Sequence, residues 1–179
     1  MDDRTPPKGI KVIGELPYHQ PWWDADRLGL QPDWGIVATM ALAVVAAIGA
    51  LTLPEWRTGD PFVLLPALTL GPIGLVLLVS WVASGYPVVI SRTELINQSA
   101  LPLKKPLKIS SLYVVGTDRR KLYGMPVAVE IASSAATEKK KTHFVSTMML
   151  TVSVSALSIL LTYRIAKAKG ENPPPPEFS

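Results

Sequence analysis

The sequence predicts an α+β chain with a membrane part: a two-helix transmembrane hairpin, then a small antiparallel β-rich domain closed by a C-terminal amphipathic helix. Three observations lead there. The 179 residues are 48% hydrophobic and only 18% charged, too apolar for one ordinary water-facing domain. The apolar surplus is concentrated between Ile36 and Ala83. After it, short runs of β-branched residues alternate with turn residues, and the last apolar run has helical spacing.

Residues 1–34 form a proline-containing, aromatic arm with no apolar stretch that would serve as a signal peptide. The arm is too short and proline-rich to build a core. Its Trp22, Trp23 and Trp34 are costly to leave in water, so it is expected to lie along a membrane surface or against another subunit.

The hairpin is expected at residues 35–84. Gly35 to Leu53 and Phe62 to Ala83 are uncharged and near the roughly 20 residues a spanning helix needs. Pro66 and Pro72 in the second are tolerated where the freed carbonyls find other partners. The turn between the spans holds Arg57 alone among its cations, whereas Arg27 precedes the first span and Arg92, Lys104, Lys105 and Lys108 follow the second. The positive-inside rule then predicts a multi-pass protein of the cell inner membrane with both termini cytoplasmic. Ala43 with Ala47, and Ala46 with Ala50, give the first helix small residues at four-residue spacing, where another helix could approach closely. Neither span carries an ionisable residue, which speaks against an ion pathway.

Residues 85–170 read as the folded domain. "YPVVIS", "ELINQSA", "PLKISSLYVVGTD", "MPVAVEIASS" and "THFVSTMML" are successive extended segments. The stretch from Lys139 to Gly170 reads as strand then helix in preference to a third crossing. Lysines 139–141 at one end and Arg164, Lys167 and Lys169 at the other would force one cationic cluster outside. Leu157, Leu160, Leu161 and Ile165 form a helical stripe, Ser155 is the expected N-cap, and Gly170 ends the helix. Residues 171–179, with four consecutive prolines, make an extended tail.

The run "PVVISRTELINQSALPL", then "KPLKISSLYVVG", "LYGMPVAVEI" and the closing "SALSILLTYRIA", resembles the bacterial pleckstrin-homology-like family. The likeness is to those membrane proteins in which a two-helix hairpin precedes the domain. It covers roughly the second half of the chain and implies a curved sheet with a helix across its open end. The basic loops "TDRRKLYG" and "SSAATEKKKTHF" and the proline tail depart from the family's usual form, so no ligand carries over.

No catalytic, metal-binding or cofactor-binding residues are expected. Cysteine is absent, and His19 and His143 lie far apart without carboxylates at ligand spacing. No Walker loop, nucleophile elbow or dinucleotide-binding turn occurs. The net charge is +4, and the basic residues include three clusters: Lys104, Lys105 and Lys108; Arg119, Arg120 and Lys121; Lys139, Lys140 and Lys141. With the three tryptophans these are the candidate contacts to membrane lipids or to other membrane-protein subunits. Nucleic acid is not expected, because stacking aromatics are missing apart from Tyr123. The expected role is a non-enzymatic membrane protein with an interaction domain, an accessory or assembly subunit of a larger complex. The alternative is a peripheral sensor or regulator of anionic lipid headgroups.

Overall fold

The computed structural model describes residues 5–52, 72, 75, 76, 79, 85–97, 105–117, 121–133, 142–148 and 150–178. The described strands all pair antiparallel. Strands β1 (Ile10–Val12), β2 (Arg27–Leu30), β3 (Val88–Ser91), β4 (Glu94–Asn97) and β5 (Leu107–Lys108) form one sheet in that spatial order. Strands β6 (Leu112–Gly116), β9 (Ala128–Ser133) and β10 (Thr142–Ser146) form a second, in the order β10-β9-β6. A two-stranded hairpin, β7 (Lys121–Leu122) and β8 (Met125–Pro126), stands between β6 and β9 in the chain. Its turn residues Tyr123 and Gly124 have φ of 51° and 82°, the two left-handed positions that a tight hairpin of this twist requires.

The arm is part of this architecture. Leu28 pairs with Ile90 and Leu30 with Val88, while β1 lies against β2 on its other side. Trp22 is fully buried and Trp23 is 7% exposed. The expected outward arm is thus corrected: it completes the sheet and puts both indoles into the chain's own core. Gly9 makes this possible, since a Cβ there would lie 2.6 Å from the Val152 nitrogen and its φ is +90°. Bonds from the Gln31 nitrogen to the Gly9 carbonyl (2.7 Å) and from the Thr151 nitrogen to the Gln31 carbonyl (3.1 Å) hold the arm to the start of the last helix.

Between β2 and β3 the chain leaves the sheet as helix α1 (Trp34–Thr52). Asp33 starts it, its Oδ1 accepting from the Gly35 nitrogen at 2.9 Å. The sequence predicts a transmembrane hairpin here, and the structure overturns that expectation. Among the described residues no helix is long and apolar enough to cross a membrane. An uncharged run is compatible with a membrane span but does not by itself make one. The second expected span lies outside the described residues except for 72, 75, 76 and 79, which are helical. The expected multi-pass inner-membrane location with both termini cytoplasmic falls with the hairpin, as does the assignment to the transmembrane class.

The segment 139–170 resolves, within its described part, into β10 and helix α2 (Val154–Ala168). Ser153, two residues before the expected cap, accepts from the Ala156 nitrogen at 3.2 Å. Leu157, Leu160, Leu161 and Ile165 are all at most 4% exposed and join Leu28, Ile90, Ile109, Leu112 and Ile131 in one core. Burying each such side chain stabilises the fold by about 1.5–3 kcal/mol, so this stripe, rather than intrinsic propensity, holds α2 in place. Gly170, with φ of 85°, ends it, and the tail returns so that the Phe178 ring lies 5.2 Å from that of Trp22.

Candidate functional site

The polar feature that the fold assembles lies where the arm meets the last turns of α2. A 3-10 turn, Trp22–Asp24, anchored by its two buried indoles, presents Asp24 to α2. Asp24 Oδ1 accepts from the Tyr163 hydroxyl at 2.8 Å, and Oδ2 pairs with Lys167 Nζ at 2.5 Å. Gln20 Nε2 donates to the Asp24 carbonyl. From the β3-β4 turn Arg92 reaches Asp26, Nε to Oδ1 at 2.9 Å. Below them Arg164 is 4% exposed and donates from Nη2 to the Ala25 carbonyl at 2.6 Å, while its Nε is buried without a partner.

These groups border a cavity of about 300 Å³ lined by Gln20, Asp24, Arg92, Arg164, Lys167 and Ala168. Burial pushes the Arg164 guanidinium down to about 10, against the opposing pull of Asp24, so it remains a cation at neutral pH. Burial raises the Tyr163 hydroxyl and its bond to Asp24 raises it further. For Lys167 burial acts downward but is outweighed by the bonds to Asp24 and Tyr163, and the ammonium is raised. Asp24 therefore favours the protonated form of all three neighbours.

Among the described residues, none of the contacts expected from sequence lines this cavity. Trp22 and Trp23 pack edge to face at 5.6 Å and 82° inside the core, which removes them as outward contacts and leaves them as supports of the turn. Trp34 stands apart at the start of α1, 64% exposed. Lys105 and Lys108 are exposed at the β5 edge, at the opposite side of the sheet from β1. Lys121 opens β7. Lys104, Arg119, Arg120, Lys139, Lys140 and Lys141 lie outside the described residues. Among the described residues no group of three or more potential ligands is placed to hold a metal ion.

Sequence reasoning missed Arg164, treating it as one member of a flanking cationic cluster. The signal was present: Arg164 is seven residues after Leu157, four after Leu160 and three after Leu161, on the buried stripe itself. No family model, curated protein or solved structure matches the chain.

Proposed function

We propose that this chain acts by binding rather than by catalysis, as an accessory or assembly subunit that docks on another protein through α1. The observation that carries this reading is the outward row of that helix. Leu42 and Val45 are 70% and 65% exposed, and Ala38, Ala43 and Ala46 beside them are exposed too, whereas Val37 and Val44 are buried. A charge-free helix with such a face is costly to leave in water and marks an interaction surface. Its small residues suit a second apolar helix, which could approach closely at the alanines. The resemblance to the bacterial pleckstrin-homology-like family belongs to the same proposal, supported by the strand order after residue 85 and the closing helix.

The test is a photo-crosslinking residue at position 42 or 45 of the full chain, with one at exposed Lys11 as control. A discrete crosslink to one second protein from α1 alone, lost together with stoichiometric co-purification in Leu42→Glu/Val45→Glu of unchanged circular dichroism, is expected. Crosslinks confined to the chain itself would refute it.

A second reading, peripheral binding to anionic lipid headgroups, is favoured by the β7-β8 hairpin. Leu122, Tyr123 and Met125 are 44%, 94% and 67% exposed at its tip, and Arg119, Arg120 and Lys121 precede them. Each cation near an anionic surface contributes about 1 kcal/mol, screened by salt. Salt-sensitive flotation with anionic vesicles, weakened by Tyr123→Ser/Met125→Ser, is its expected outcome.

A further inference from the structure

The cavity between the arm and α2 has one cation more than its carboxylates can neutralise. Three positive groups, Arg92, Arg164 and Lys167, meet two carboxylates, Asp24 and Asp26. Both carboxylates are engaged by others: Asp26 by Arg92, and Asp24 by Lys167 and Tyr163. Arg164 has no carboxylate in contact among the described residues; a backbone carbonyl takes one of its five donors, and Nε is left without a partner. Asp24 offsets its burial only in part, so the buried guanidinium is held at a cost that a further opposite charge would relieve.

The rim is built differently from the floor. The Arg92 and Lys167 side chains are 60% and 48% exposed, so both can turn toward an incoming group without breaking the core. About 300 Å³ is at the small end of ligand cavities and enough for a compact solute. A guanidinium fork matches the paired oxygens of carboxylate and phosphate.

We propose that this cavity is a binding site for a compact oxyanion, a carboxylate or phosphate group, held by Arg164 at the floor and Arg92 and Lys167 at the rim. The site is independent of the α1 face and stands or falls separately from it. It takes its charge from α2 and the β3-β4 turn, and its wall from the arm.

The test uses the full chain and measures thermal unfolding and calorimetric titration with sodium phosphate and with sodium acetate, against sodium chloride at matched ionic strength. A saturable rise in melting temperature with phosphate or acetate is expected. Arg92→Gln should weaken it roughly tenfold or more, as loss of a charge-assisted bond does. Arg164→Gln, checked for folding by circular dichroism, should abolish it. A parallel arm uses phosphatidylcholine vesicles with and without phosphatidylglycerol. Binding of the anionic vesicles that Arg164→Gln removes, without a response to free anions, assigns the oxyanion to a lipid headgroup; a response to free anions alone assigns it to a solute. The proposal is overturned if neither anion differs from chloride and neither vesicle binding nor titration changes in Arg92→Gln and Arg164→Gln.

Discussion

Replacing Asp24 by alanine separates the arm's polar hold on α2 from its apolar one. The side chain makes two contacts, an acceptor bond to the Tyr163 hydroxyl at 2.8 Å and an ion pair with Lys167 at 2.5 Å. The first is charge-assisted and partly buried, worth about 1.5–3 kcal/mol. The second involves a lysine side chain that is 48% exposed, and solvent screening limits it to about 0.2–1 kcal/mol. Together they predict a loss of roughly 2–4 kcal/mol, which for a chain of this size lowers the melting temperature by roughly 4–16 °C. Urea unfolding of the wild type, Asp24→Ala, Tyr163→Phe and the double variant should give a coupling energy of about 1–3 kcal/mol. The pH dependence has a definite sign. Tyr163 and Lys167 are both raised by the fold from ordinary values of 10.0 and 10.5. Each binds its proton more tightly folded than unfolded, so the stabilisation is complete below about pH 10 and is lost as pH rises through the folded values. The gap between wild type and Asp24→Ala should therefore be constant near neutrality and close at alkaline pH. Coupling within about 0.3 kcal/mol of zero, or a gap that widens above pH 10, would refute the reasoning.

Three further outcomes follow from the packing. Leu160→Ala, at a fully buried position of α2, should cost about 2–5 kcal/mol in urea unfolding. Gly29→Ala places a Cβ 2.4 Å from the Tyr86 ring, so the ring or the strand must move; a loss of about 1–3 kcal/mol is expected, partly recovered in Gly29→Ala/Tyr86→Ala. Phe178→Ala removes the tilted ring contact with Trp22, worth about 0.5–1.5 kcal/mol beyond area, and should shift tryptophan emission to the red as water reaches the indole.

Much of the second half of the chain is readable because its signals are local. A strand announces itself by β-branched residues between turn residues, and α2 by leucines three and four apart; neither needs knowledge of a distant partner. The same local reading places a helix at Trp34, where an uncharged run begins just after Asp33. It takes that helix for a membrane span, because absence of charge is common to a span and to other apolar helix faces.

Tertiary structure alone decided the rest. Arg27 pairs with Ser91 across a long excursion of the chain, and a backbone hydrogen bond between such strands leaves no periodic trace in either segment. Trp22 and Trp23 look like outward contacts until that pairing buries them. Arg164 looks like a surface cation until the arm closes over α2. Composition and periodicity are properties of neighbours along the chain, whereas desolvation of an indole or a guanidinium depends on which remote segment comes to cover it.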